Sequence, residues 1–167
     1  MIANLDQSHI DIVLLTNRVA RLACCHNDRP YIVPITYVFD QGYVYGHTNN
    51  GEKLRILRQN PHVCLEVDEI QDLGHWRSVV VSGVFEELHG QEAVNGLDLI
   101  MSRLSPYVIS STSLPAGEDT DSVVHKQIRL RPTKGVVYRI RITEASGRYE
   151  QPQAKPHHEG QNTQRGS

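Results

Sequence analysis

The sequence predicts a mainly β domain, a β-barrel with peripheral helices. Six short segments are rich in β-branched and aromatic residues, while two or three segments show the apolar spacing of helices. The chain has 167 residues, of which 39% are apolar. A domain of this size buries about two-thirds of the surface that its unfolded chain exposes. We therefore expect one hydrophobic core, built from residues 1–149.

The first half of the chain predicts a short helix followed by strands. Ser8 is a candidate N-cap of that helix, and Asn17 is a candidate end. Segments 19–25 and 31–39 flank a polar turn and predict a β-hairpin. Segment 43–47, which follows a second turn, predicts the third strand of a meander.

The next part of the chain places one helix between strands. Asn50 is a candidate cap for a helix that ends at Asn60-Pro61, because the residue before proline avoids the α region. Segments 62–68 and 76–88 predict strands, and Gly83 predicts a bulge or bend in the second of them.

The C-terminal part combines a helix, a loop, a strand and a tail. Residues 90–104 space their apolar side chains as a helix with one core-facing side does. Residues 105–122 are rich in Ser, Thr, Pro and Gly and predict a loop, and 136–142 predict a final strand. Residues 150–167 contain a single apolar residue and are predicted to be a disordered tail.

Composition excludes several classes of function. The net charge is -2 and no basic stripe is present, so we expect no nucleic-acid partner. No apolar run approaches the roughly 18 residues that span a bilayer, and residues 1–6 do not resemble a secretion signal. We therefore expect a cytoplasmic protein without a membrane association, whose partner is a small molecule.

The cysteines predict free thiols and no metal site. There are three, Cys24, Cys25 and Cys64, and the two adjacent ones point to opposite faces of a strand. An odd number of thiols fits a reducing compartment. Metal binding by Cys24, Cys25 and His26 is not expected, because metal ligands come in pairs spaced by two to four residues.

The segment YGHTNNGEK, residues 45–53, is a candidate anion site. It lies at the start of a predicted helix, where exposed N–H groups carry partial positive charge. Thr48 and Asn49 add hydrogen-bonding side chains, and Lys53 falls in the first turn, where a cation is misplaced unless an anion is near. The alternative is that Asn50 only caps the helix and Lys53 is solvated.

Other polar residues admit two interpretations each. His47 either transfers a proton or is an ordinary satisfied histidine. Arg77 could neutralise an anion while Ser78 donates to a heterocycle, or both could belong to an ordinary strand. Glu66 and Asp68 share one strand face, and solvation is favoured over acid-base chemistry. No phosphate-cradling glycine loop, dinucleotide fingerprint or nucleophile elbow is present.

At these residues the sequence resembles the pyridoxamine 5'-phosphate oxidase-like superfamily of FMN-binding split β-barrels, especially the branch of nitroimidazole-resistance reductases and flavin-nucleotide-binding proteins. The resemblance covers nearly all of residues 9–149. It is carried by the order and spacing of five segments, which are 29–37, 45–53, 60–69, 76–83 and 137–140.

The resemblance implies a homodimer with two FMN sites in the interface, each using both protomers. Its implied cofactor contacts are Pro34, Ile35, Thr36 and Tyr37 along the isoalloxazine, His47 and Thr48 by the ring and ribityl chain, Lys53 on the phosphate, and Trp76, Arg77 and Ser78 on the flavin or phosphate. Two departures matter. The oxidases have an Arg-Lys pair where this chain has Glu52-Lys53, and their C-terminal substrate motif is absent, so pyridoxamine phosphate oxidation is not expected.

The resemblance also implies a catalytic role for one residue. His47 matches a histidine that the nitroimidazole reductases place near the flavin. The leading hypothesis is an FMN-dependent oxidoreductase that acts on a small molecule, in which the flavin supplies the redox chemistry. The alternatives are a non-catalytic flavin-binding module, a haem-binding split barrel with a histidine ligand, and a deazaflavin in place of FMN.

Overall fold

The computed structural model describes residues 2–105 and 135–151. Its strands are β1 (Ile2–Asn4), β2 (Val19–His26), β3 (Arg29–Thr36), β4 (Val38–Asp40), β5 (Tyr43–Thr48), β6 (His62–Asp72), β7 (His75–Glu87) and β8 (Val136–Glu150). Its helices are α1 (Gln7–Thr16), α2 (Glu52–Gln59) and α3 (Gly90–Leu104). The predicted mainly β fold with peripheral helices is confirmed. The predicted loop 105–122 and tail 150–167 fall almost entirely outside the described residues.

All the described strands belong to one antiparallel sheet. Its strand order is β3-β2-β6-β7-β8-β5-β4, and β1 pairs with β8 outside this path. The predicted hairpin is present as β2 and β3, which pair without interruption from Val19↔Thr36 to His26↔Arg29, through Pro30 and Pro34. The predicted meander is confirmed only in part, because segment 43–47 pairs with Val38 and Phe39 of β4 and with β8, but not with β3.

Tyr37 joins the two ends of the sheet. β3 lies at one end of the strand order and β4 at the other, yet Tyr37 alone separates them along the chain. The two ends must therefore lie side by side, which closes the sheet into a barrel. The Tyr37 side chain is 1% exposed, its hydroxyl donates to Leu14 O (2.9 Å), and its N–H donates to Arg18 O (3.0 Å). The predicted single strand 31–39 is wrong, because the chain changes its pairing partner at this anchored residue.

Both predicted N-caps are wrong, whereas the predicted helix ends at Asn17 and Asn60 are confirmed. α1 is capped by Asp6, whose Oδ1 accepts the His9 N–H at 2.9 Å. Ser8 lies in the first turn of α1 and donates its hydroxyl to the same Asp6 oxygen. The Asp6 carboxylate therefore accepts both the His9 N–H and the Ser8 hydroxyl. α2 begins after Gly51 with no side-chain cap bond, so Asn50 does not cap it.

The core lies inside the barrel and under α1. Its buried side chains come from α1, α2, six strands and Tyr37, and the largest fully buried ones are Tyr37, Tyr138, Leu14, Leu22, Leu54, Leu57, Leu65 and Ile140. α3 packs a second, smaller apolar cluster against the outside of β4, β5 and β8. None of the three described helices has both the length and the apolar character that a membrane span needs.

β8 is longer than the predicted strand 136–142 because it pairs along its whole length. It pairs with β5 at its beginning, with β7 over most of its course and with β1 at its end. The register with β7 shifts between Ser82 and Gly83, which leaves Thr143 as an extra residue. A Cβ at Gly83 would lie 2.8 Å from Arg141 O, so the close approach requires glycine there. The predicted bulge at Gly83 is confirmed.

Candidate anion site at the split of the barrel

The barrel is closed by contact between β3 and β5 and not by hydrogen bonds. β3 has β2 as its one strand neighbour in the described chain, so its other edge is open. β5 pairs with β4 from Tyr43 to Tyr45, so Gly46, His47 and Thr48 are open on that side. The two strands lie in contact. This split presents backbone groups that a ligand can use.

Lys53 places a positive charge beside the split. It is the second residue of α2, which follows β5 directly and packs on β2. The side chain is half-buried, and its Nζ lies 6.0 Å from the centroid of the Tyr138 ring. Burial lowers the pKa of Lys53, and the nearby Cys24 acts in the opposite direction.

Lys53 differs from the other cations of its helix in having no acidic partner. Arg55 donates to Glu52 at 2.9 Å, and Arg58 pairs with Glu87. No carboxylate lies within ion-pair distance of Lys53 in residues 2–105 and 135–151. A half-buried ammonium without a counter-ion is costly, so this arrangement fits a site for an anion.

His47 lies next to this charge with a polar atom unsatisfied. Its ring is half-buried, and Nε2 has neither solvent contact nor a hydrogen-bond partner in the described part of the chain. Burial, and then the charge of Lys53, lower the pKa of His47, so the imidazole is neutral near pH 7. The backbone of Gly135 covers the ring, because a Cβ there would lie 2.3 Å from Nε2.

Tyr138 lies beneath Lys53 inside the barrel. Its ring is 0% exposed and packs on Phe85, with ring centroids 5.3 Å apart. Its hydroxyl is buried and has no partner among the described residues. Gly46 faces it across the β5–β8 pairing, and a Cβ at Gly46 would lie 2.4 Å from the hydroxyl oxygen. Burial raises the pKa of Tyr138, so the hydroxyl keeps its proton.

The side chains of the predicted flavin-lining segment alternate between the solvent and the core. Pro34 and Thr36 are exposed, whereas Ile35 and Tyr37 are buried. Because alternate residues of a strand face opposite sides, all four cannot line one ligand. The side chains of Ile35 and Tyr37 belong to the core, so these two residues could line a ligand only through their backbone, and the lining by this segment stays a prediction. Thr48 is half-buried at the split and donates its hydroxyl to Asn49 O at 3.2 Å.

Trp76, Arg77 and Ser78 lie at the start of β7, far along the strand direction from His47. On β8, Ser78 pairs with Arg148, whereas His47 pairs with Val137. Eleven residues of strand separate these two partners, a path of about 35 Å. One protomer therefore does not bring this trio together with Lys53 around a single small ligand.

The contacts of this trio are with neighbouring polar groups. Trp76 and Arg77 line an open cavity of about 400 Å³, and Arg77 lies 3.8 Å from Glu69. The hydroxyl of Ser78 donates to Glu66 at 3.1 Å.

Glu66 and Asp68 share one strand face, as predicted. Arg21 on β2 donates to both of them, at 3.0 and 2.9 Å. The two carboxylates are therefore neutralised by an arginine rather than only solvated, and this pairing does not favour acid-base chemistry.

Sequence reasoning missed three residues of the site, namely Cys24, Gly135 and Tyr138, and it gave no role to Gly46 within the predicted segment 45–53. Their proximity to Lys53 and His47 comes from the pairing of β5 with β8 and the packing of α2 on β2. The one available signal was a glycine in the middle of the predicted strand 43–47, because such a glycine marks a close approach of another group.

An antiparallel barrel that is open between two strands defines a split-barrel protein. At the opening, Lys53 has no acidic partner among the described residues and forms a candidate anion site. The pyridoxamine 5'-phosphate oxidase family matches residues 6–149. The chain belongs to this family, and the resemblance predicted from the sequence is confirmed.

Known proteins resemble the chain in sequence and in structure. A protein of Rhizobium meliloti (strain 1021), called uncharacterized protein RA0666, is 43% identical over 76 residues, which are 46% of this chain and 50% of that protein. This chain therefore matches about half the length of that relative. A crystal structure described as that of an FAD-binding protein from Mesorhizobium loti is 31% identical, covers 89% of this chain and 98% of its own, and has a TM-score of 0.71.

A more distant structure shares the fold. It comes from a Bacteroides thetaiotaomicron protein suggested to confer 5-nitroimidazole antibiotic resistance. It is 18% identical, covers 89% of this chain and 87% of its own, and has a TM-score of 0.66.

Tyr37→Phe should test whether Tyr37 has a structural role. The change leaves the buried Leu14 carbonyl without its donor, so we expect a loss of about 1–2 kcal/mol in the free energy of unfolding. Urea denaturation of the ligand-free protein measures this loss. Flavin affinity should stay at the wild-type value, and a tenfold weaker affinity with unchanged stability would return Tyr37 to the ligand site.

Proposed function

We propose that this protein is an FMN-dependent oxidoreductase that acts on a small molecule as a homodimer. Membership of the pyridoxamine 5'-phosphate oxidase family supports a flavin-binding role. The description of the Mesorhizobium loti relative as FAD-binding supports the same role. The observation that carries the proposal is Lys53, a half-buried cation at the split that has no acidic partner in the part of the chain that the structure describes.

The residues at the split fit a phosphate-bearing cofactor. A phosphate monoester carries about two negative charges near neutral pH and accepts several hydrogen bonds. Lys53 would hold it by a charge-assisted bond at the start of α2, where free N–H groups also favour an anion. Thr48 and the open edge of β5 would face the rest of the cofactor. The flavin, when bound, supplies hydride and electron transfer.

His47 is the proposed catalytic residue. Its pKa is lowered, so at neutral pH it is uncharged and can accept a proton at one ring nitrogen while donating from the other. Nε2 has no hydrogen-bond partner in the described chain, so no described protein group competes for a proton at this atom. Gly135 covers this atom, and the backbone there has to move if a substrate is to reach it.

A homodimer would bring Trp76, Arg77 and Ser78 of one protomer next to Lys53 of the other protomer. Trp76, Arg77 and Ser78 lie too far from Lys53 to share a ligand within one chain, and a partner's copy would provide them. The outer face of the sheet would form the interface. Val19, Ile32 and Val80 are exposed there, and Arg21, Glu66 and Asp68 form ion pairs on β2 and on β6, the strand between β2 and β7.

The first prediction concerns the cofactor. We expect the apoprotein to bind FMN more tightly than FAD or riboflavin, because Lys53 and the start of α2 favour a terminal phosphate, which riboflavin lacks. Lys53→Ala should weaken FMN binding ten- to a hundredfold, as expected for the loss of a bond of about 1.5–3 kcal/mol to a charged group, and should leave riboflavin binding unchanged. Fluorescence titration measures both affinities.

Arg55→Ala is the matched control for this experiment. It removes an exposed cation from the same helix that already has a carboxylate partner, so FMN affinity should change little. Equal wild-type affinity for FMN and riboflavin would overturn the phosphate site. A preference for FAD would keep that site and change the cofactor.

The second prediction separates binding from catalysis. His47→Ala should retain near-normal FMN affinity, while turnover of a nitroaromatic or quinone with a reduced nicotinamide donor should fall about a hundredfold, the scale of one general acid-base group. Steady-state kinetics of FMN-loaded protein measures the turnover. Loss of FMN comparable to that of Lys53→Ala would make His47 a cofactor contact.

Two other outcomes would replace the proposed activity. Wild-type protein that binds FMN but turns over no substrate with any donor would be a flavin-binding module. A haem spectrum in the purified protein would indicate a haem-binding split barrel.

The third prediction concerns assembly. Val80→Glu places a charge on the proposed interface, so the dimer should dissociate into monomers with weakened flavin affinity. Sedimentation velocity measures the assembly state. Ile12→Glu is the control, because Ile12 on α1 is 47% exposed and Val80 is 41% exposed, yet Ile12 lies on another surface. A wild-type monomer that holds FMN tightly would rule out the shared site.

A further inference from the structure

Tyr138 carries a polar group that the fold itself does not use. The residue has no exposed surface, yet its hydroxyl has no hydrogen-bond partner among the described residues. Buried hydroxyl groups nearly always have a partner, because an unsatisfied one costs free energy. Phenylalanine would fill the same space without this cost, so the hydroxyl calls for a functional explanation.

The position of the Tyr138 hydroxyl indicates a function for it. It lies directly over the backbone of Gly46, where a Cβ would approach it to 2.4 Å. Gly46 is the first residue of β5 beyond the pairing with β4, so the buried hydroxyl lies directly behind the backbone that forms the open edge of the split. The ring of the same residue lies 6.0 Å from the Lys53 ammonium. A cation without an anion and a donor without an acceptor thus occupy one place.

We propose that the Tyr138 hydroxyl donates a hydrogen bond to the phosphate that Lys53 binds, so that the two side chains form one anion site. This inference rests on the proposed phosphate-bearing cofactor and adds a specificity-determining residue to it. The hydroxyl is suited to the task because burial raises the pKa of Tyr138 and keeps the proton in place.

The ligand-free structure also shows what must move. Lys53 is the flexible side chain beside the Tyr138 ring, and its ammonium has no ion pair there to hold it. Because the hydroxyl is fully buried in the ligand-free structure, a phosphate on Lys53 would meet it only after the lysine shifts away from the ring. In the ligand-free structure, the face of the Tyr138 ring favours the Lys53 ammonium by a cation–π interaction. Tyr138 would therefore contribute to the site with its ring and with its hydroxyl.

Tyr138→Phe isolates the hydroxyl, because the ring and its packing on Phe85 remain. We expect the variant to bind FMN about tenfold more weakly than wild type and to bind riboflavin equally well. Tyr43→Phe is the matched control, because it removes one hydroxyl from a tyrosine of β5 whose ring packs on Tyr45 and Arg139, outside the candidate site. Its FMN affinity should be that of wild type.

Thermal unfolding of the ligand-free variants gives an independent readout. Tyr138→Phe should be at least as stable as wild type, because the change removes an unsatisfied hydroxyl. Marked destabilisation or failure to fold would overturn the inference, since the hydroxyl would then have a structural partner. An unchanged ratio of FMN to riboflavin affinity would overturn it as well.

These outcomes are distinct from a failure of the proposed function. Wild-type protein that does not prefer FMN to riboflavin lacks the phosphate site altogether. Wild-type protein with that preference, and a Tyr138→Phe variant with the same preference, retains the site on Lys53 and excludes the hydroxyl from it.

Discussion

The anchored connection at Tyr37 determines the shape of the molecule. A single residue joins strands from opposite ends of the sheet, so the sheet has to close, and closure leaves β3 and β5 in contact without a hydrogen-bonded ladder. The hydroxyl and the N–H of Tyr37 are both satisfied by the α1 region, which fixes this corner to the helix that covers the barrel. The split, and the backbone groups open to it, follow from this one constraint.

The chemistry of the site follows from the partial burial of Lys53 and His47 without an acidic partner among the described residues. Most arginines of the described chain have a carboxylate partner, whereas Lys53 faces an aromatic ring and a neutral histidine. Burial lowers the pKa values of both Lys53 and His47, so each cation is disfavoured until an anion arrives. An anionic ligand would reverse this balance, and binding would therefore favour the charged form of the lysine.

The local patterns of the sequence predicted more of the fold than of the site. Alternation and turns identified the hairpin of β2 and β3, and Gly83 identified the bulge. Lys53 was predicted because a cation in the first turn of a helix needs an explanation. The cap at Ser8 was wrong because Asp6, two residues earlier, satisfies the same rule. Tyr138 was missed because its place under Lys53 depends on the pairing of strands that are distant in sequence.

The prolines of β3 have a consequence for the solution behaviour of the protein. An edge strand with free N–H groups is a template for adding a strand from another molecule. The ladder to β2 is continuous through Pro30 and Pro34, so their ring nitrogens face away from it, toward the open edge. Ile32 and Thr36 are the other residues of that edge, so half of its donors are absent. The split can thus stay open to a ligand while resisting edge-to-edge aggregation.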